Sequence, residues 1–91
     1  MTIQELSSIL NKLVSTDKSE QALGKKLFKK TNIYKTYMYK HVFFGTDDIS
    51  IYYFVNKKIE LCPPSKYHKK EYQYVVDTII KAAVRDHLVE E

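Results

Sequence analysis

The clearest hydrophobic pattern lies in the C-terminal third of the chain. Between Ser65 and Glu91 the apolar residues recur three and four positions apart, at Tyr72, Val75, Val76, Ile79, Ile80, Ala83, Val84 and Leu88. This spacing is that of one face of an α-helix. The segment begins with a lysine-rich turn and ends with two glutamates. The pattern therefore predicts a long amphipathic helix whose charges oppose the helix dipole at both ends.

Two shorter helices are predicted at the N-terminus. Thr2 and Glu5 have the spacing of a capping box, and apolar residues repeat at helical spacing behind them to about Ser15. Asp17 is expected to cap a second helix that runs to about Lys30. Its apolar side is predicted to carry Leu23, Leu27 and Phe28, with Gly24 among them. A core shared between the helices is predicted to include Leu10, Leu27, Val76, Ile79 and Ile80.

The middle of the chain is dense in β-branched and aromatic residues, a composition typical of strands. Three strands are predicted, at 33–44, 49–55 and 58–62. A turn at Gly45-Thr46-Asp47-Asp48 separates the first two, and Asn56-Lys57 separates the second and third. The predicted fold is α+β: two N-terminal helices, a three-stranded antiparallel meander and a long C-terminal amphipathic helix, in a single domain over residues 1–91.

A winged helix-turn-helix is the alternative architecture. In that interpretation residues 31–42 form a recognition helix carrying Lys35, Lys40 and His41. The segment 49–62 becomes the wing.

The predicted order of a helix, three strands and a helix over residues 18–90 also resembles the double-stranded-RNA-binding domain. That resemblance implies that Lys69 and Lys70, at the start of the last helix, contact phosphates. The acidic turn at 45–48 departs from the family's pattern.

Composition and charge narrow the classes of function. The net charge is +4, and positive charge is concentrated in residues 18–40 and 57–70, which suggests a polyanionic partner. Cys62 is the single cysteine, so an internal disulfide is excluded and a reducing, cytoplasmic location is expected. No run of apolar residues has the length of a membrane span, and no membrane partner is expected. Lysine, isoleucine and tyrosine are abundant while glycine is scarce, which indicates an AT-rich gene.

Two lysine clusters are the candidate binding residues. The first lies on the second helix, and the second surrounds the start of the last helix, where a tyrosine is interleaved with the lysines. Basic residues interleaved with aromatic ones are typical of single-strand binding, because bases stack on the rings while lysines contact phosphates. The candidate nucleic-acid-binding residues are Lys25, Lys26, Lys29, Lys30, Lys57, Lys58, Lys66, Tyr67, Lys69 and Lys70.

The resulting functional prediction is a small basic protein that binds DNA or RNA through phosphate contacts. The alternative is a non-catalytic protein-interaction module, such as an accessory subunit or inhibitor of a larger nucleic-acid enzyme of the mobile-element type. No catalytic motif, cofactor site or metal site is predicted, since the histidines do not pair at metal-ligand spacing. Homodimerisation through the C-terminal helix is a further expectation.

Overall fold

The computed structural model describes residues 1–38, 41–44 and 47–90, with the backbone alone for 41–44 and 47–50. The helices of this part are α1 (Ile3–Leu13), α2 (Lys18–Lys29), α3 (Asn32–Tyr37), α4 (residues 51–61) and α5 (Lys69–Arg85). Strands β1 (His41–Phe44) and β2 (Asp47–Ser50) form an antiparallel hairpin in which His41 pairs with Ser50 and Phe44 with Asp47. A 3₁₀ turn (Lys66–His68) precedes α5.

The capping signals of the two N-terminal helices are confirmed. The Thr2 hydroxyl accepts a hydrogen bond from the Glu5 backbone N–H at 3.1 Å, and the Glu5 carboxylate accepts one from the Thr2 N–H at 3.4 Å. At α2, the Asp17 carboxylate accepts from the Glu20 N–H at 3.0 Å. Each cap satisfies backbone donors that the first turn of a helix leaves free.

Gly24 sets how closely α1 and α2 approach each other. A Cβ atom at this position would lie 2.4 Å from the backbone nitrogen of Leu13 and 2.7 Å from the carbonyl carbon of Lys12. Only a residue without a side chain allows this backbone-to-backbone contact. Gly24 and Phe28 are therefore the buried residues of α2, whereas Leu23 is 45% exposed and Leu27 only half-buried. The prediction that Leu23 and Leu27 lie on the buried face is wrong.

The predicted strand at 33–44 is wrong over its first half. Thr31 caps α3, since its hydroxyl accepts from the Tyr34 N–H at 3.2 Å and donates to the Phe28 carbonyl at 2.7 Å. Ile33, Tyr34 and Tyr37 follow at helical spacing and are all buried. Burial of this face outweighs the β-propensity of the residues. Only the second half, His41–Phe44, is extended.

The predicted strands at 49–55 and 58–62 are also wrong, except that residues 49 and 50 form the end of β2. Helical structure runs from Ile51–Tyr53 through a π-helical segment, Phe54–Lys58, to Ile59–Leu61. The buried residues of α4 recur three, four and eight positions after the first one, which is helical spacing; they are Ile51, Phe54, Val55 and Ile59.

The protein is therefore predominantly helical, and the α+β class with a three-stranded meander is overturned. The segment 49–62, expected to form the wing, is mainly helical, so the winged helix-turn-helix alternative is wrong. Of the recognition helix expected at 31–42, Asn32–Tyr37 is helical, while Lys40 lies outside the described residues. The resemblance to the double-stranded-RNA-binding domain fails for the same reason, since the described part of the chain contains one two-stranded hairpin between its helices.

Helix α5 is shorter than predicted at both ends. It begins at Lys69 and ends at Arg85 with Asp86 as the C-cap, so Glu90 lies beyond the helix and the predicted conflict of that glutamate with the dipole is absent. Glu91 lies outside the described residues. His87 adopts a left-handed conformation with φ of 57°. The His87 N–H donates to the Val84 carbonyl at 3.1 Å and the Leu88 N–H to the Ala83 carbonyl at 2.8 Å. These two bonds form a Schellman motif, which turns the chain so that Leu88 still reaches the core.

All five helices contribute to one hydrophobic cluster. Leu10, Val76 and Ile79 are fully buried members and Ile80 packs against them, as predicted. Leu27, the fifth residue of the predicted shared core, is not part of this cluster, so the prediction is wrong for that residue. The apolar stripe of α5 is covered from within the chain, so a homodimer through this helix would have to use its outer face. None of the helices in the described part combines the length and the apolar character needed to cross a bilayer.

Tyr37 joins α3 to the end of α5. Its ring is buried and its hydroxyl lies 3.0 Å from the Ala82 carbonyl and in contact with the Asp86 carboxylate. With one proton, the hydroxyl donates to one of these acceptors at a time. Burial, and then the neighbouring Asp86 carboxylate, raise the pKa of Tyr37 to about 12.

We expect Gly24→Ala to lower the free energy of unfolding by about 1–3 kcal/mol, the usual cost of overpacking. Alanine is intrinsically a better helix former than glycine by ~0.5–1 kcal/mol. A decrease in the free energy of unfolding would therefore reflect the close backbone contact at Gly24. Urea denaturation measures it. Ala22→Gly, at an exposed position of the same helix, is the control and should cost about 1 kcal/mol through propensity alone. A stabilising Gly24→Ala would contradict the close crossing.

We expect Tyr37→Phe to cost about 1–3 kcal/mol of unfolding free energy at pH 8, because it removes a buried hydrogen bond to a charged group. The folded pKa of Tyr37, about 12, lies above its ordinary value of 10.0. The hydroxyl's contribution is thus present below pH 10 and is lost as the pH rises towards 12. The difference between wild type and Tyr37→Phe should shrink over that interval, measured by urea denaturation at a series of pH values. A constant difference would contradict this account.

Candidate nucleic-acid interface

The lysine face of α2 is largely open to solvent. Lys26, Lys29 and Lys30 are exposed and have no ion pair in the described part of the chain. Lys25 differs, because its ammonium lies 3.9 Å from the Glu60 carboxylate of α4 and its side chain is only 23% exposed. Three of the four candidate lysines on this helix are therefore available to a ligand.

Lys57 and Lys58 lie on α4 and not beside a third strand. Lys57 is exposed, whereas the Lys58 ammonium is 3.1 Å from the Glu71 carboxylate of α5. The hydrogen bond to Glu71 raises the pKa of Lys58. This pair ties α4 to α5, so Lys58 is more a structural link than a free phosphate ligand.

The segment from Ser65 to Lys70 presents the most accessible candidates. Lys66, Lys69 and Lys70 are exposed, and Tyr67 is 84% exposed, more than any other large apolar or aromatic residue described. The Lys66 ammonium lies 5.3 Å from the centre of the Tyr67 ring. A ring with this exposure gains little from folding, and its face opposite the Lys66 ammonium stays free to stack on a partner.

A hydrogen-bonded network holds this segment in place from the inside. The His68 Nε2 atom lies 3.3 Å from the Cys62 sulfur, and its Nδ1 atom lies 3.0 Å from the Ser65 hydroxyl. The Tyr72 hydroxyl donates to the Cys62 carbonyl, and its ring packs edge-on against His68 and tilted against Phe54. Burial raises the pKa of Tyr72 to about 12. With His68 turned inward, Tyr67 and the neighbouring lysines face outward.

The network uses both potential metal ligands of this loop. Cys62 and His68 contact each other, and no group of three histidine, cysteine, aspartate or glutamate residues suited to a metal occurs in the described part of the chain.

The elements that carry the two lysine clusters share neighbours. Lys25 of α2 contacts Glu60, which precedes the loop that leads to Lys66. The same loop and the end of α1 line a cavity of about 370 Å³, which Asn11 and Lys69 border. Because α2 contacts the end of α1 at Gly24, the end of α1 adjoins both elements.

Sequence reasoning located the exposed lysines and Tyr67 but missed their acidic neighbours. Glu60 and Glu71 each engage one candidate lysine, and each contact joins two different helices. The polar groups of the cavity, at Asn11, Thr16 and Gln73, were missed as well. No periodicity marks them, because they come together only through the packing of α1 against α5.

Comparison of the chain with family models, with curated proteins and with solved structures gives no match. The functional argument therefore rests on the geometry of the interface.

The start of α5 generates a stability prediction. Replacing Lys66, Lys69 and Lys70 with alanine should raise the free energy of unfolding by a few tenths to about 1 kcal/mol, because positive charge near a helix N-terminus opposes its dipole. Alanine at Lys26, Lys29 and Lys30 removes the same charge from a helix C-terminus and should act in the opposite direction. Denaturation at low salt measures both variants. Equal effects of the two would show that net charge alone governs stability.

Proposed function

We propose that the protein binds single-stranded nucleic acid, with Tyr67 as a stacking platform. The phosphate contacts are Lys66, Lys69 and Lys70 together with Lys26, Lys29 and Lys30 at the C-terminal end of α2. The observation that carries the proposal is the 84% exposure of Tyr67 beside three exposed lysines that form no ion pair in the described part of the chain. Exposed rings with adjacent cations are the common elements of proteins that bind single strands without sequence preference.

The first test measures the affinity of the full chain for a fluorescent single-stranded oligonucleotide by anisotropy. Tyr67→Ala should weaken binding roughly 5- to 150-fold, the equivalent of the ~1–3 kcal/mol that one stacked base contributes. Tyr67→Phe should retain most of the affinity, because the ring remains. Tyr74→Ala removes another half-exposed tyrosine, on α5, and is the matched control. Equal losses in Tyr67→Ala and Tyr74→Ala would refute a specific platform.

The second test counts phosphate contacts through the salt dependence of binding. Each neutralised phosphate of a single strand contributes about 0.7 to the log–log slope. Alanine at Lys66, Lys69 and Lys70 should flatten the slope by up to ~2, and alanine at Lys26, Lys29 and Lys30 by up to ~2 on the same counting. A variant with alanine at the exposed Lys18, Lys35 and Lys81 has the same net charge and should keep most of the slope. If this control variant lowers the salt slope by the same amount, binding is spread over the whole surface and the proposed interface is wrong.

A second candidate function, docking to a larger protein, is favoured by one observation. Leu61 is 77% exposed at the end of α4, immediately before the loop that presents Tyr67. Exposed apolar and aromatic side chains such as these can become buried in the centre of a protein interface. Under the nucleic-acid proposal, Leu61→Ser leaves oligonucleotide affinity unchanged. If wild-type protein shows no oligonucleotide affinity at low salt, the docking function replaces the first proposal.

A further inference from the structure

The cavity beside the basic segment has the size of a small-molecule site. Its volume is about 370 Å³, within the range of ~300–1,000 Å³ typical of ligand pockets. It is lined by the end of α1, by the turn that follows α1 and by the segment 64–73. The chemistry of this lining decides what the cavity can hold.

The charge of the lining has one sign. Lys66 and Lys69 both border the cavity, and none of the described residues that line it is acidic. Neither lysine forms an ion pair in the described part of the chain. An anion in the cavity would therefore meet two unpaired cations and no carboxylate of the lining, whereas a cationic ligand would be repelled.

Neutral hydrogen-bond donors accompany the two cations. The Asn11 amide nitrogen donates one hydrogen to the Ser7 hydroxyl at 3.4 Å. The Gln73 amide nitrogen donates one to the Asp77 carboxylate at 3.0 Å. Each of these amides keeps a second N–H, and the Thr16 hydroxyl of the lining is a further donor. Ammonium, N–H and O–H groups together match the several lone pairs of a phosphate or carboxylate.

The rest of the lining is apolar and fixed in place. Val14 and Pro64 contribute aliphatic surface, and Tyr72 contributes part of a buried ring. Tyr72 is held by its hydroxyl bond to the Cys62 carbonyl and by Phe54, whose ring centre lies 5.6 Å away. Such a surface is formed before any ligand arrives, which reduces the entropic cost of binding. It gains from covering hydrocarbon, which a bare inorganic ion does not offer.

We propose that this cavity binds a small organic anion, in which a phosphate or carboxylate group is attached to an apolar body. Lys66 and Lys69 contact the anionic group, while Val14, Pro64 and the Tyr72 ring cover the apolar body. This inference goes beyond the proposed nucleic-acid function and does not depend on it. Because both use Lys66 and Lys69, a bound organic anion and a nucleic-acid strand would compete for the same ammonium groups.

The experiment is a titration of the ¹⁵N-labelled full chain with phenyl phosphate, benzoate, inorganic phosphate and phenol, followed by NMR. At least one of the two organic anions should shift the backbone amides of Val14, Thr16 and Gln73. It should bind about 10-fold more tightly than inorganic phosphate, the gain expected from covering roughly 50 Å² of apolar surface. Phenol has the ring without the charge and should bind roughly 5- to 30-fold more weakly than that anion, because two partly exposed ion pairs are missing. The tighter of the two organic anions identifies the anionic group.

Two variants with equal net charge test whether the lysines of the lining are responsible. Alanine at both Lys66 and Lys69 should weaken binding of the organic anion by the same roughly 5- to 30-fold. Alanine at both Lys35 and Lys81, which are exposed and do not line the cavity, is the control. At about 0.15 M salt, where distant charges are screened, this control should leave the affinity nearly unchanged. Equal losses in the two variants would show a response to net charge alone and overturn the inference.

The outcomes separate this inference from the proposed function. If oligonucleotides bind with the expected dependence on Tyr67 while neither organic anion shifts a cavity amide, the inference is overturned and the function stands. If an organic anion binds in the cavity with the expected dependence on charge and ring but oligonucleotides do not bind, the inference stands and the function fails. Inorganic phosphate or phenol that binds as tightly as the better organic anion overturns the inference.

Discussion

The arrangement of the basic surface depends on the buried ring of Tyr72. This residue contacts Phe54 of α4 and packs against His68 of the turn that precedes α5. Its hydroxyl donates to the carbonyl of Cys62, where the proline-containing loop begins. It therefore fixes three elements relative to one another: the end of α4, the proline-containing loop and the start of α5. Together with the contacts of His68 to the Cys62 sulfur and the Ser65 hydroxyl, this packing holds His68 inward, and the outward direction of Tyr67 follows from it.

The caps of the N-terminal helices could be predicted because their causes are local. A hydroxyl or carboxylate three residues from a backbone N–H closes the first turn wherever it occurs, and Thr2 and Asp17 both do so. Residues 33–37 and 51–61 were mistaken for strands because β-propensity measures how a side chain fits a half-buried surface. Ile51, Phe54, Val55 and Ile59 satisfy a helical spacing as well, and the competition was decided by the partners available on α3 and α5. Those partners cannot be read from the segment itself.

The candidate site divides in a similar way. Exposed lysines are recognisable from the sequence, since charged side chains off an apolar stripe nearly always face solvent. Which of them are already paired depends on tertiary packing, as Lys25 with Glu60 and Lys58 with Glu71 demonstrate. Surface pairs of this kind contribute little to stability, about 0–1 kcal/mol. Their larger effect here is on the distribution of charge. They neutralise Lys25 and Lys58 and leave the unpaired positive charge on the exposed lysines.

The π-helical segment in α4 has a consequence for how the length of this chain can vary. The Ile59 N–H donates to the Phe54 carbonyl, so this turn holds one residue more than an α-helical turn. Loss of Asn56 would leave a regular helix in which the last buried position follows Ile51 by seven residues instead of eight, and both spacings return to the same face. The core thus tolerates either length. Lys57 and Lys58 directly precede Ile59, so they would keep their direction relative to that core residue. A change of one residue at this turn would therefore alter the length of α4 while leaving both its buried face and its lysine-bearing face in place.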